Sequence, residues 1–343
     1  MRNIKFRIDI LRNNVFFDHL IFSSPPSIYM DSEAEIKLSL RGTFLRNPKV
    51  DYLNDEIMPV MIIDETEYPL GIYRIATMQE SGSIAGVASD TIEAYDRSVI
   101  LSWAKLESRD FWAKGTSYDT VIAHYLYAAG ISRAITIPSS NTLQSDREDW
   151  DIGTSYLSII NTLLSEINYD PVWFDLHGNA RIGPYVAPSV NNITHRYGEG
   201  QIYDVMRPEY TSSVDFFAQP NVFIAILDNP EYPEPLVARA VNDVPASKLS
   251  TISRGIRIPQ VYRVSNIASF DELQSYANRM RDDSIQLSEV VSIQTANMPD
   301  HTVGDIIALN HPQLTGIFKE TGWEMTLAPG QYMNHTIQRL VIA

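Results

Sequence analysis

The stretch Ile57-Met58-Pro59-Val60-Met61-Ile62-Ile63, followed by Gly71-Ile72-Tyr73-Arg74, resembles a second stretch near the other end of the 343-residue chain. The second stretch consists of Ile306-Ile307-Ala308-Leu309 and Gly316-Ile317-Phe318-Lys319. Each combines an apolar strand, a polar loop, a glycine at the turn and a strand with an aromatic residue. Either two hairpins are similar by chance, or the chain holds a duplicated β-unit. A duplication predicts two similar barrels with other material between them.

Length and composition predict a folded protein of two or three domains. Of the 343 residues, 44% are hydrophobic and 20% are charged, which is typical of soluble proteins with substantial cores. No apolar run approaches the roughly 20 residues that span a bilayer, and the N-terminus lacks a signal-peptide pattern. The chain has no cysteine, which excludes disulfides and thiolate sites. We therefore expect folding in a cytoplasm-like compartment.

The net charge of −15 bears on possible partners. It argues against tight binding of nucleic acid, because phosphate contacts need clustered lysines and arginines. Solubility alone explains an acidic surface, and so does a channel through which a polyanion passes without sticking. The sign of the charge favours a conduit for nucleic acid over a clamp on it.

Closely spaced short strands predict an all-β first domain. Residues 4–10 and 34–40 alternate between polar and apolar side chains, as strands with one buried face do. Asn13-Asn14 predicts a tight hairpin turn between strands. Such spacing favours an antiparallel barrel or sandwich, and we place this domain at residues 1–106.

The middle of the chain changes to a helical pattern. Residues 117–129 and 154–167 carry apolar side chains on one helical face, and Gly130 follows the first of these stretches. A strand then turns at His177-Gly178-Asn179 and returns. The pattern predicts an α+β domain at residues 107–192, with two helices and a hairpin.

Residues 193–343 return to β character, with one inserted helix at about 269–289. Ser269 and Glu272 form a capping box at the start of that helix. A closing hairpin is predicted across Pro329-Gly330. The proline-containing segment 221–245 matches no pattern that we can assign.

Searches for catalytic motifs find none. Gly115-Thr116-Ser117-Tyr118-Asp119 lacks the second glycine of a nucleophile elbow, and Ser117 is better explained as a helix cap. Gly198-Glu199-Gly200 lacks the third glycine of a dinucleotide fingerprint, and there is no P-loop.

The histidines do not show a metal-binding spacing. There is no His-x-x-x-His pair, and His124 falls among helix residues as a packed or partly exposed side chain. His301 and His311 flank a strand near Asp305 and could meet a metal, but a chance arrangement is the better interpretation.

Carboxylates and aromatic residues give no firmer site. Asp282-Asp283 lies on the charged helix as a solvated face, and Asp149 and Asp151 suit the dipole of the helix that follows. The aromatic cluster of Tyr169, Trp173 and Phe174 could line a sugar site or a core strand. We therefore predict no catalytic, cofactor-binding or metal-binding residues, no cofactor, no peptidoglycan hydrolysis and no metal requirement.

Several motifs resemble, in order, those of baseplate hub proteins of phage tails. They are Thr91-Ile92-Glu93-Ala94-Tyr95-Asp96-Arg97, the helix region from Gly115 to Ile131, the helix–hairpin region from Gly153 to Ile182, and Val303-Gly304-Asp305-Ile306-Ile307 with Gly316-Ile317-Phe318 and Gly330-Gln331-Tyr332. The chain is thus similar to the late-control-protein-D-like hubs of contractile phage tails and phage-like particles, which are related in fold to the hub part of type VI secretion spikes.

The resemblance implies a mainly β fold in which two tail-tube-like antiparallel β-barrels flank a small helix-containing domain. It implies a structural, non-enzymatic homotrimer around a central channel, joining the sixfold tail tube to the threefold spike. The implied partners are the tail tube protein, the spike protein, other baseplate proteins and a tape-measure protein, without specific nucleic-acid binding or membrane insertion. The implied location is a virion or phage-like particle assembled in the bacterial cytoplasm.

Two other interpretations stay open from the sequence. One is a tail-associated protein that binds or degrades cell wall through the aromatic-rich middle domain. The other is an all-β binding protein unrelated to tails. Binding or digestion of peptidoglycan distinguishes the first from a hub, and the symmetry of the purified particle distinguishes the second.

Overall fold

The structure, a computed structural model, describes residues 3–82, 88–148, 150–198, 205–214, 219–228, 235–286 and 289–340. The strands are β1 (Ile4–Arg12), β2 (Val15–Leu20), β3 (Phe22–Asp31), β4 (Leu38–Leu45), β5 (Glu56–Ile63), β6 (Thr66–Pro69), β7 (Tyr73–Ser81), β8 (Ser89–Asp96), β9 (Ala134–Thr136), β10 (Trp173–Phe174), β11 (Ala180–Ile182), β12 (His195–Gly198), β13 (Met206–Ser213), β14 (Val222–Leu227), β15 (Leu236–Val241), β16 (Pro259–Val264), β17 (Val290–Ala296), β18 (Ile306–His311), β19 (Leu314–Thr326) and β20 (Tyr332–Arg339). The helices are α1 (Ser98–Trp103), α2 (Tyr118–Ala128), α3 (Tyr156–Glu166), α4 (Thr251–Arg254) and α5 (Phe270–Gln286). The predicted mainly β fold with a few helices is confirmed.

One large sheet dominates the described part of the chain. Its strand order is β13-β17-β20-β19-β3-β4-β8-β7-β5-β1-β2, with β6 paired to β5, β18 paired to β19, and β12 paired to β18. Within the described residues this path does not close on itself, so it forms an open sheet with β2 and β13 at its ends. Two closed barrels within one chain stay a prediction, and the observed sheet runs continuously through both halves.

The two similar stretches share one pairing, that of an apolar strand residue with the aromatic residue two positions after the glycine. In the first, Ile57 lies opposite Tyr73, and in the second, Ile307 lies opposite Phe318. The predicted glycine at each turn is wrong, because Gly71 follows β6 and Gly316 lies within β19, whereas the chain turns at residues 64–65 and 312–313. The strands also differ, since β5 pairs mainly with β6 among the strands that follow it, whereas β18 pairs with β19 along its whole length, so the likeness is limited to this one pairing.

Strand β19 connects the two halves of the large sheet. The first half consists of β1–β8, and the second half consists of β12, β13, β17, β18 and β20. β19 pairs antiparallel with β3, placing Trp323 opposite Met30 and Met325 opposite Ile28. The side chains of Trp323 and Met325 are buried in the core of the first half, whereas Phe318 on the same strand is buried in the core of the second half. One thirteen-residue strand thus contributes to both cores.

The middle of the chain has the predicted helices. α2 and α3 pack together, and the apolar residues of both predicted stripes are buried in one core. Within it lie Leu157, Ile160 and Leu163 from α3, together with Val121 and Tyr125 from α2. The predicted hairpin is the β10–β11 pair, and β9 adds to it in parallel. The short helices α1 and α4 were not predicted, because one or two turns give too few residues for a periodic pattern.

Segment 221–245 has a regular structure where it is described. β14 and β15 form an antiparallel pair, β16 adds in parallel to β14, and α5 covers one face of this small sheet. Phe223 and Ala225 of β14 pack with Leu273 and Ala277 of α5 in a separate core. The predicted inserted helix at 269–289 is α5, and residues 287–288 lie outside the described ranges.

Candidate functional site

The edge strand β2 and the residue that follows it expose apolar side chains. Among the described strands β2 pairs with β1 alone, through the turn at Asn13-Asn14, where both residues have positive φ. Val15, Phe16 and Ile21 are 66%, 54% and 64% exposed. An edge strand with exposed apolar side chains invites pairing with another chain unless a partner covers it. We call Val15, Phe16 and Ile21 on this hairpin the apolar edge.

The other end of the sheet path has a different character. β13 pairs with β17 alone among the described strands, and the register shifts between Met206 and Tyr210. Its exposed side chains include Glu209, Thr211 and Ser212. The open sheet therefore ends in one apolar edge and one polar edge.

A buried arginine joins the first half of the sheet to the middle of the chain. We call that middle part, with α2, α3 and the β10–β11 hairpin, the helical unit. The Arg97 guanidinium donates to both carboxylate oxygens of Glu56, at 2.9 and 2.6 Å, and to the backbone oxygen of Gly178 at 3.0 Å. It also donates to the side-chain oxygen of Asn14. Arg97 is only 6% exposed. Two of the motifs that resemble those of tail hubs therefore meet at this residue, one ending at Arg97 and the other containing Gly178.

A second buried ion pair organises the helical unit itself. Arg147 donates to both carboxylate oxygens of Glu166 at 2.9 and 2.8 Å, and the Tyr118 hydroxyl donates to the same carboxylate at 2.7 Å. Burial, and then the nearby Glu166 charge, raise the pKa of Tyr118 well above its ordinary value, so the phenol stays protonated. The backbone of Glu166 also accepts a hydrogen bond from Ala268, just before α5.

The second half of the large sheet contains a buried cluster of three histidines and two carboxylates. The Glu320 carboxylate bridges two imidazoles, with His301 Nδ1 at 2.7 Å and His335 Nδ1 at 2.5 Å. His195 Nε2 lies 3.2 Å from Asp305, and the rings of His195 and His301 stack with centroids 3.9 Å apart. We call these five residues the histidine–carboxylate cluster.

The outer atoms of the cluster also have partners. The Tyr197 hydroxyl lies 2.7 Å from His301 Nε2, and the Thr295 hydroxyl lies 2.8 Å from His335 Nε2. The backbone N–H of Thr302 donates to Asp305 at 2.7 Å. Although burial disfavours the carboxylate, hydrogen bonds from the two imidazoles hold the pKa of Glu320 below its ordinary value. Burial lowers the pKa of His195, but its bond to Asp305 outweighs burial and raises it overall.

The sequence anticipated only part of this cluster. It singled out His301, His311 and Asp305, and the structure brings His301 and Asp305 together. His311 instead lies against Tyr210, with ring centroids 5.4 Å apart. His195, Glu320 and His335 were missed, because they are remote in sequence and only the pairing of β12, β18, β19 and β20 brings them together. A local signal in the sequence is the two-residue alternation with apolar neighbours, such as Phe318 before Glu320 and Met333 before His335, and the burial of β19 and β20 follows it.

The remaining candidates occupy structural positions. Ser117 is the N-cap residue of α2, although its side chain makes no capping hydrogen bond. His124 is half-exposed and packs edge-on against Trp112. Asp151 is largely exposed and lies 3.8 Å from Arg109. Gly198 ends β12, whereas Glu199, Gly200 and Asp149 lie outside the described residues.

The Asp282-Asp283 pair was predicted to lie on a solvated face, and the aromatic cluster was predicted to line either a sugar site or a core strand. Asp282 accepts a hydrogen bond from Arg281, and Asp283 accepts one from Tyr185. Both carboxylates therefore contact other side chains in addition to solvent. Tyr169 and Phe174 are buried in the helical unit's core. Trp173 lines a cavity of about 440 Å³ that also contains Asp170, Arg279 and Lys319.

Among the described residues, no helix is both long and apolar enough to cross a bilayer.

Comparison with known proteins identifies the fold. No family model and no curated protein sequence match the chain. Solved structures do match over nearly its whole length. A tail protein from Neisseria meningitidis is 12% identical with a TM-score of 0.68, covering 98% of this chain and 97% of its own. The 43 kDa tail protein of prophage MuSo2 from Shewanella oneidensis is 10% identical with a TM-score of 0.67, covering 98% of each chain.

A further match lies among secretion proteins. An Escherichia coli component of the type VI secretion system, described as similar to the T4 bacteriophage tail proteins gp27 and gp5, is 8% identical with a TM-score of 0.53. It covers all of this chain and 77% of its own. The chain therefore has the fold shared by phage tail proteins and the related secretion component, which confirms the resemblance seen in the sequence.

Proposed function

We propose that this protein is a structural baseplate hub of a phage tail or phage-like contractile particle, joining the sixfold tail tube to the threefold spike. The observation that carries the proposal is the likeness of fold to tail proteins across 98% of the chain. The corresponding pairings of Ile57 with Tyr73 and of Ile307 with Phe318 support it, because a hub between sixfold and threefold parts needs two similar units in each of three chains.

Assembly as a homotrimer is part of this proposal. Three copies with two β-units each supply six similar positions for a ring of tube subunits, and closed symmetry is the rule for such assemblies. The open sheet and the apolar edge support it, because a neighbouring copy that covers β2 would bury Val15, Phe16 and Ile21. In this proposal the barrels implied by the resemblance close only when the copies meet.

The charge of the chain fits a channel through the trimer. Three chains would together carry a net charge of −45, and salt screens such a field over about 8 Å at physiological ionic strength. Acidic residues on the wall of a narrow lumen would keep DNA or a tape-measure protein from sticking. Tube, spike and other baseplate proteins would bind the outer rims, and the protein would reside in the particle.

The proposal assigns no enzymatic role to the chain. The described carboxylates that were candidates for catalysis are engaged elsewhere or exposed: Asp282 and Asp283 contact neighbouring side chains, and Asp151 faces solvent. The alternative, a protein that degrades cell wall, predicts a clearing zone in a peptidoglycan gel. We expect none from the purified chain, and a zone abolished by one carboxylate substitution would favour the alternative.

The direct test of the hub proposal is an electron-microscopy image of the assembled complex along its axis. The chain would be coexpressed with candidate tube and spike proteins. The expected projection has threefold symmetry with six similar densities around a central channel. A projection without threefold symmetry or without a channel contradicts the proposal.

A further inference from the structure

The inner part of the histidine–carboxylate cluster has the composition of a metal site. His301 lies against one carboxylate oxygen of Glu320 and His335 lies against the other. All three side chains are buried. One ligand atom from each of these residues lies within 4.8 Å of the other two. Two imidazole nitrogens and one carboxylate, bound through one or both oxygens, form a three-residue ligand set that zinc sites use.

Neighbouring hydroxyl groups fix the orientation of both histidine rings, as outer partners do for histidines that bind metals. Each histidine directs Nδ1 toward Glu320 and keeps its other ring nitrogen on a hydroxyl, from Tyr197 for His301 and from Thr295 for His335. Ligating histidines commonly have such an outer partner, which fixes the orientation of the ring. The strands add rigidity, because Glu320 lies on β19 and His335 on its neighbour β20.

The distances are close to those that an ion requires. Zinc binds nitrogen and oxygen at about 2.0–2.2 Å, so ligand atoms around a tetrahedral ion lie about 3.3 Å apart. The present separations of 2.7 and 2.5 Å need to open by less than about 1 Å, which is within the reach of side-chain adjustment.

We propose that His301, His335 and Glu320 form a binding site for a divalent transition-metal ion of the zinc class. Both histidines would bind through Nδ1 and Glu320 through one or both oxygens, and each neutral imidazole would carry its single N–H on Nε2, donating it to the Tyr197 or the Thr295 hydroxyl. The ion would tie the loop at 297–305, which carries His301, to β19 and β20. This is a structural site inside the second half, and it does not depend on the hub proposal. The proposal departs from the sequence-based prediction that no metal is bound.

The test uses the full chain, stripped with a chelator and titrated with Zn²⁺ and separately with Co²⁺. We expect one ion per chain, visible absorption bands from Co²⁺ in a low-symmetry nitrogen–oxygen site, and a higher Tm with Zn²⁺ than with Mg²⁺. Glu320→Gln and His335→Gln should weaken binding by at least about 100-fold, and Thr295→Val by about 10-fold to 100-fold with the stoichiometry unchanged.

The control is His311→Gln, which removes a histidine outside the cluster and should bind like the unaltered chain. The wild-type measurements decide the question even if a cluster variant fails to fold. Substoichiometric Zn²⁺ binding, an unchanged Tm, or an absence of Co²⁺ bands would overturn the proposal and leave a closed hydrogen-bond network. Full binding by folded Glu320→Gln would overturn it too.

Discussion

A buried charged residue joins two parts of this molecule. Arg97 lies where the first β-unit meets the helical unit, and its guanidinium bonds to Glu56 and to the Gly178 backbone. Because the pair is buried, removing one partner leaves the other charge without compensation. The residue therefore matters more for stability than an exposed ion pair of the same geometry does.

Replacing Arg97 tests this account of the junction. We expect Arg97→Gln to lower the free energy of unfolding by about 3–5 kcal/mol, because Glu56 would remain buried and unpaired. The matched control is Arg263→Gln, which breaks the 3.4 Å pair with Asp228, where the two side chains are 66% and 64% exposed, and should cost at most about 1 kcal/mol. Urea denaturation measures both, and equal losses would contradict the assigned role of Arg97.

The Arg12–Asp55 pair predicts a pH dependence. Asp55 is buried, and hydrogen bonds from Arg12 hold its pKa below the ordinary value. The ionised carboxylate thus stabilises the fold above the unfolded pKa of about 3.9, and this contribution is lost as the pH falls through the folded pKa.

Denaturant midpoints at several pH values measure this contribution. We expect the wild type to lose more stability than Arg12→Gln between pH 5 and 3, because the variant lacks the partner that lowers the pKa of Asp55. Parallel curves for the two proteins over that range would refute the assignment.

At the scale of elements, the parallel pair of β12 and β18 depends on one glycine. Gly198 has φ of +125°, and a Cβ there would lie 2.3 Å from the backbone oxygen of Asn310. We expect Gly198→Ala to destabilise the protein by about 2 kcal/mol or more. Gly82→Ala is the control and should have little effect, since its Cβ would meet no atom of the described residues closer than 3.9 Å. Thermal unfolding of the two variants compares them directly.

The elements also show what the sequence could and could not predict. The apolar stripes of α2 and α3 and the paired repeats were predicted, because their signals are local and periodic. Segment 221–245 was not, because prolines and acidic residues conceal the six-residue strands β14 and β15, whose alternating burial depends on α5. The continuity of the large sheet was missed as well, because the pairing of β3 with β19 joins strands from opposite ends of the chain.

The candidate site shows the same limit. His301 and Asp305 lie four residues apart and could be considered together from the sequence. His195, Glu320 and His335 join them only through strand pairing, so no spacing motif announces the cluster. Contacts that arise from the pairing of strands distant in sequence cannot be predicted from the pattern of one sequence.

At the scale of the whole molecule, the apolar edge should control assembly. Phe16→Glu places a charge on the exposed edge strand β2, where a neighbouring copy would bury it. We expect this variant to fold normally but to lose association, as measured by sedimentation. The control Ile152→Glu alters an apolar residue that is 64% exposed in the helical unit and should leave assembly unchanged. Equal assembly of both variants would exclude β2 as the contact.

In the proposed assembly, two β-units in each of three chains build one ring. Native mass measurement of the hub assembled with its tube and spike partners counts the copies directly. We expect three copies of this 38.8 kDa chain per ring. Two or four copies per ring would contradict it.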